Sequence, residues 1–325
     1  MTAPLPTGKG PLPTVTAITA VGSMMELFWC CLPKDPDSVV ISNRFAIEDS
    51  GLALMRHGMR PVGLAECLGP ASCAEGEDRV RKALGGKAAF VRRPADQPGL
   101  VDLLYGPEEA DVREAARVLD ELLQAKTHRP DLIKGMGAYL GYPACCLEAF
   151  CELNEFEKRN LGWAYARLRA ECPGPVDPRQ NPFTGLKPYH LPCGPNCAET
   201  LALIDAAACF MSSEAPAMLT NELAISTCPI VFSLGSFPSF SLLLGGKEQQ
   251  PGTLTYQRAI AFGGDPAFAL LAKGNRLEIH EGDLSLFSGN VPIGRFVDQF
   301  AVWWWRKAFD HEYWLGEVMR RAHGH

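Results

Sequence analysis

Several features are missing from this 325-residue chain, and each absence removes a class of function. Basic clusters are missing: Lys and Arg total 31 against 37 Asp and Glu, for a formal net charge of −6. The basic residues are scattered apart from short pairs such as Arg92-Arg93 and Arg320-Arg321. Phosphate backbones are held by clustered Lys and Arg, so a nucleic-acid partner is not expected. Long apolar runs are also missing. The longest, around Ile230 to Leu244, is broken by Ser, Gly and Pro and is too short and polar to span a bilayer. Residues 1–13 lack the apolar core of a signal peptide and read as a disordered N-terminus. The expected location is therefore the cytoplasm, with no membrane partner. The chain carries no carboxylate cluster suited to a hard cation, no P-loop, no dinucleotide fingerprint and no internal repeat.

Cysteine, by contrast, is plentiful, with 12 residues. Cytosolic thiols are kept reduced, so this number points to metal or redox chemistry rather than to disulfides. The cysteines gather in one region. Gly141-Tyr142-Pro143-Ala144-Cys145-Cys146 begins the first cluster, which ends at Cys151. His190-Leu191-Pro192-Cys193-Gly194-Pro195-Asn196-Cys197 forms the second.

Each cluster reads as a helix start. Pro143 suits the first turn of one helix, and Pro195 opens another with an interior over residues 198–210. At a helix N-terminus the orphan N–H groups and the positive end of the dipole favour a thiolate. Two such ends, each with a cysteine pair and one with His190, can converge on a common point. Cys151 lies about a turn and a half beyond Cys145 and Cys146 and cannot share a face with both.

Soft thiolates with one imidazole suit an iron–sulfur cluster or zinc. Cys193-x3-Cys197 has the form of a zinc hook, but adjacent Cys145 and Cys146 should project in different directions and make a poor one. Iron–sulfur sites are looser in spacing, so one [4Fe–4S] cluster on Cys145, Cys146, Cys193 and Cys197 is the favoured expectation, with zinc as the alternative. His190 is expected as a further ligand or as a catalytic acid/base beside the centre. Three cysteine ligands would leave an iron open to a small-molecule substrate, as in a lyase, transferase or oxidoreductase, under a Pro-rich lid over residues 172–192. Four would favour electron transfer to a partner. A zinc-stabilised interaction module and a thiol redox protein using Cys145 and Cys146 are the other readings. Glu148 could be a general base, although a solvated helix face is the plainer reading. Arg179, Asn181 and Lys187 could hold an anionic substrate. Cys67, Cys73, Cys209 and Cys228 read as core residues, and Cys172 as a borderline extra ligand.

The pairing of Gly-Tyr-Pro-x-Cys-Cys-x3-Phe (Gly141 to Phe150) with His-x-Pro-Cys-x3-Cys (His190 to Cys197) resembles an uncharacterised bacterial and archaeal family carrying these two signatures. The resemblance implies that Cys145, Cys146, His190, Cys193 and Cys197 act together.

The flanks place this region in an α+β protein. Residues 14–128 read as an α/β layer, with strands over 39–42, 61–64, 88–91 and 100–105 and helices over 43–56 and 108–123. Cys67 and Cys73 flank a Gly-Pro turn. Residues 129–227 read as a helical metal-site domain that includes a helix over 156–168. Residues 228–325 read as a β-rich layer with strands over 230–234, 239–244, 253–262, 276–280 and 284–287. An aromatic helix from Val297 through Phe300, Trp303 and Trp314 is expected to close that layer.

Overall fold

The computed structural model describes residues 14–15, 49–95, 100–125, 127–153, 177–181, 190–214, 228–233, 239–262, 266–280, 283–297 and 300–303, with thirteen isolated positions between and beyond them. The expectations for residues 1–13, the strand over 39–42, Cys172, Lys187, most of the 156–168 helix and most of the Pro-rich loop lie outside the described residues. The chain divides into two compact units. One comprises residues 1–31 and 228–306, and the other residues 32–227 and 307–325.

The larger unit is built on a three-stranded antiparallel sheet in the order β2 (Gly63–Leu68), β4 (Leu100–Gly106), β3 (Ala89–Pro94). The central strand β4, Leu-Val-Asp-Leu-Leu-Tyr-Gly, is buried at almost every position because both of its faces are covered. Leu103 and Tyr105 face one cluster with Leu52 and Met55 of α1 (Asp49–Arg56) and Cys73 and Val80 of α2 (Gly69–Ala83). Leu104 faces the opposite cluster, with Val112, Ala115 and Leu119 of α3 (Glu109–Gln124) and Leu132 and Met136 of α4 (Pro130–Tyr139). Helix α2 corrects the reading of Gly69-Pro70 as a turn: the pair opens a helix, and Cys67 and Cys73 lie in the core on either side of that opening.

Two further helices complete the described part of this unit, α5 (Ala144–Glu152) and α6 (Ala198–Glu214). Helix α6 packs Ile204, Ala208 and Met211 against Ala53 of α1, Leu186 and Trp314. Trp314 is one of the helical positions near the C-terminus, and its indole Nε1 donates to Asp205 of α6 at 3.0 Å.

The other unit holds two sheets and α7 (Pro266–Leu271). Its six-stranded sheet has the order β1 (Thr14–Val15), β12 (Val291–Val297), β11 (Asp283–Ser288), β10 (Arg276–His280), β8 (Thr253–Thr255), β7 (Lys247–Gln250). Pairing is antiparallel throughout except between β1 and β12. The four-stranded sheet runs β13 (Phe300–Trp303), β5 (Ile230–Ser233), β6 (Ser239–Leu244), β9 (Arg258–Phe262). The core draws Val231 and Leu243 from the smaller sheet and Leu254, Leu277, Leu286 and Phe296 from the larger.

Two expectations are corrected here. The aromatic segment does not start as a helix at Val297, because residues 300–303 are a strand paired with β5, Ala301 opposite Phe232 and Trp303 opposite Ile230. Bulky aromatics suit a pleated strand as readily as a helix face, and a partner edge decides between them. The single strand expected over 253–262 is broken at Tyr256-Gln257 into β8 and β9, which join different sheets.

Two glycines set how α4 and α5 meet. Gly141 has φ of +71° and turns the chain between them, with Met59 O 3.0 Å from where a Cβ would stand. Gly137 lies against Leu147, whose side chain occupies the place of the missing Cβ. Gly137→Ala must push Leu147, and with it α5, away from α4. The expected loss is about 1–3 kcal/mol of stability, read as a lower urea midpoint at unchanged slope.

Candidate metal centre

Helix α5 begins immediately after Pro143, so Cys145 and Cys146 occupy its first turn. Each Cα–Cβ bond in a helix tilts toward the N-terminus. Two short side chains at adjacent first-turn positions can therefore both reach a point beyond the helix end, even though they leave the axis in different directions. The sulfurs of Cys145 and Cys146 stand 3.9 Å apart, which corrects the expectation that adjacent cysteines make a poor hook.

The second arm differs slightly from its expected form. Pro195 does not open a helix: a turn closed by Cys197 N–H donating to Gly194 O at 3.2 Å comes first, and α6 starts at Ala198. Cys197 therefore precedes the helix, its carbonyl accepting from Leu201 N–H at 3.0 Å and its sulfur accepting from the backbone N–H of Thr200. This is the geometry in which a side chain caps a helix.

The two arms meet. The sulfur of Cys197 lies 3.6 Å from those of both Cys145 and Cys146. With Cys193 included, all four sulfurs lie within 4.8 Å of one another. Cys146 and Cys197 are buried, Cys193 is half-buried and Cys145 is exposed. Cys151 stays apart, its sulfur directed at the carbonyl of Pro130 at 3.9 Å.

The surroundings press unequally on the four thiols. Burial pushes Cys146 up, against hydrogen bonds from the Thr200 hydroxyl and the Cys193 backbone N–H. Burial and the thiols of Cys197 and Cys145 push Cys193 up to about 12. Burial also acts to raise Cys197, but hydrogen bonds from the Thr200 hydroxyl and N–H, with those from Cys193 and Cys146, outweigh it and hold Cys197 at about 7. Cys197 is thus a readier thiolate than Cys146 or Cys193.

His190 is not among the converged groups. It is buried, 7% exposed, with Nε2 2.9 Å from the Thr200 hydroxyl, which in turn lies 3.4 Å from the sulfur of Cys146. Its ring stacks with Tyr142 at 5.2 Å. A hydroxyl has a single hydrogen to donate. That hydrogen can therefore serve only one of the Cys146 and Cys197 sulfurs at a time, and while it does, His190 Nε2–H can donate to the hydroxyl oxygen. Sequence reasoning missed Thr200, whose signal is its place three residues after Cys197, where a side chain meets the cap of its own helix.

The other described candidates are engaged by neighbouring side chains and backbone. Glu148 is exposed and accepts from Lys134 Nζ at 2.6 Å, joining the outer faces of α5 and α4. Arg179 is turned inward to Asp177 and Asp205, and Asn181 donates to the carbonyl of Ser226 at 3.4 Å. Gln180, between them in a 3-10 turn (Pro178–Gln180), donates through Nε2 to the carbonyl of Cys197 at 2.9 Å. This part of the Pro-rich segment is fastened to α6 and to the cap residue itself. Nine free cysteines and no disulfide occur among the described residues, and no described helix is long and apolar enough to cross a membrane. No family model, curated protein or solved structure matches the chain.

Removing the hydroxyl between His190 and Cys146 tests this arrangement. Thr200→Val keeps the shape but strips a buried imidazole nitrogen and a buried sulfur of a shared partner, for an expected loss of about 1–3 kcal/mol. Thr200→Ser should retain most of that stability in thermal unfolding.

Proposed function

We propose that Cys145, Cys146, Cys193 and Cys197 hold one tetrahedral zinc ion whose role is structural, locking the start of α5 to the start of α6. The sulfur separations carry this reading. Four ligands at about 2.3 Å from one zinc ion stand about 3.8 Å from each other. The separations of 3.6, 3.6 and 3.9 Å between Cys145, Cys146 and Cys197 lie close to that edge. A [4Fe–4S] cluster, the favoured expectation from the sequence, binds each cysteine to a different iron, and the cubane between them spreads the sulfurs well beyond a single-ion spacing. The donor set therefore fits zinc better.

A complete shell of four thiolates leaves no position for a substrate atom, which is the pattern of structural rather than catalytic zinc. His190 then acts on the centre through Thr200, orienting the hydroxyl beside Cys146. The N–H groups of Cys193 and Thr200 offset the negative charge that four thiolates place on one ion. Zinc supplies cross-linking energy here and no chemistry on a bound substrate. A reduced-thiol centre suits a reducing compartment, in keeping with the cytoplasmic expectation.

Metal analysis of protein purified without oxygen should give about one zinc per chain and a colourless solution. Iron with inorganic sulfide and a brown visible spectrum would overturn the zinc reading. Replacing zinc with Co2+ should produce the intense sulfur-to-metal absorption and d–d bands of a tetrahedral thiolate site, and Cys197→Ser should weaken both. Chelation should lower the thermal midpoint by at least about 5 °C.

The sign of the pH dependence follows from the ligands. Each thiol must lose its proton to bind, so affinity falls as pH falls. A zinc indicator should record release on acidification and recovery on return to neutral pH.

A further inference from the structure

Beside the metal centre lies a cavity of about 240 Å³. It is set between the helices of the α4–α5 hairpin. Near the Gly141 turn the two helices are in close contact through Gly137 and Leu147. Ile133 and Phe150, at the ends remote from that turn, are half-buried and form the mouth with Leu122 of α3. Met136, Leu140 and Leu147 make a buried apolar wall, and His190 and Leu191 close the inner end.

The lining is chemically one-sided. Among the described lining residues the polar side chains are Tyr142, Cys146 and His190, which lie together because His190 stacks with Tyr142 and reaches Cys146 through Thr200. Among the described residues, no Asp, Glu, Lys or Arg lines the cavity. Packed interiors leave few voids larger than a water molecule, and an apolar void forfeits the dispersion contacts of its walls. A mouth of half-buried apolar side chains and a single polar end are the features of a small-molecule site. The volume admits on the order of eight water-sized groups, below the range of about 300 Å³ and upward in which drug-sized ligands sit.

We propose that this cavity binds a small uncharged ligand, one aromatic ring or a short alkyl chain bearing a single hydroxyl or carbonyl, with the polar atom directed to the His190 end. Charge is excluded by the lining, because a carboxylate there would be desolvated with no cation to meet it. The cavity wall includes Cys146 and the residues leading into Cys193, so both arms of the cysteine centre border the site. The ligand requires no particular ion in that centre.

The test uses the full chain as purified, with p-cresol, hexan-1-ol, toluene and hexanoate as probes followed by saturation-transfer NMR and titration. p-Cresol and hexan-1-ol should bind with Kd of about 1 mM or tighter, and hexanoate at least about tenfold more weakly than hexan-1-ol. Ile133→Trp, at the half-buried mouth, should weaken p-cresol at least about tenfold at an unchanged thermal midpoint. Phe150→Trp serves as a second block where Ile133→Trp lowers that midpoint. His190→Phe should abolish the preference for p-cresol over toluene. No transfer to either p-cresol or hexan-1-ol, or equal p-cresol binding with both Trp variants, overturns the proposal. Metal content of the same preparation separates the two readings: binding blocked by Trp supports the cavity site with or without zinc, and zinc with no binding overturns the cavity site alone.

Discussion

Four cysteine sulfurs gathered at the abutting N-termini of two helices impose a constraint that the surrounding structure is arranged to meet. Thiols so close repel one another once ionised, and burial opposes ionisation further. The thiolates are tolerable because they sit where helices present unpaired N–H groups and the positive ends of their dipoles. The backbone N–H of Thr200 reaches Cys197, and that of Cys193 reaches Cys146. A dication held by the four sulfurs would complete the neutralisation that these groups begin.

The rest of the larger unit aims the two helices. Helix α5 is placed by the Gly141 turn and by the close seating of Leu147 on Gly137, so its position derives from α4, which is itself packed on β4 through α3. Helix α6 is placed by its apolar contacts with α1 and Trp314 and by Arg179, whose guanidinium meets Asp177 and Asp205. Gln180 joins that anchored turn to the carbonyl of Cys197. The arms thus reach the centre from two hydrophobic clusters, and a metal held by both arms would tie those clusters together. The cavity between α4 and α5 belongs to the same hairpin, with its polar end at His190 where the histidine–threonine–cysteine chain begins.

The β-rich unit is organised on different terms. Its core is a set of Leu, Val and Phe side chains drawn from two sheets, and its strands pair with chain neighbours except for β8 with β10, β6 with β9, β1 with β12 and β13 with β5, the last two spanning the most sequence. Those two long-range pairings are the least legible in the sequence. Nothing in residues 300–303 distinguishes an apolar helix face from an edge strand until β5 is present to pair with it.

Much of the centre is legible in the sequence. The ligand types, their grouping into two arms and their place at helix starts are written locally, because proline tolerance, helix-favouring composition and cysteine spacing act over a single turn of chain. The mixed α+β class, the amphipathic α3 and most strands of the second half are legible for the same reason, since burial of one face stamps a period on the sequence. Tertiary structure alone decided the rest. That Cys145 and Cys146 can both serve one point depends on the tilt of their bonds relative to an arm that is remote in sequence. That Thr200 links His190 to Cys146 depends on a loop and a helix meeting. That the four sulfurs lie within 4.8 Å of one another depends on how closely α5 and α6 are driven together by cores to which neither motif contributes a recognisable signal. Local physics names the groups that can bind a metal, and only packing sets the distances between them.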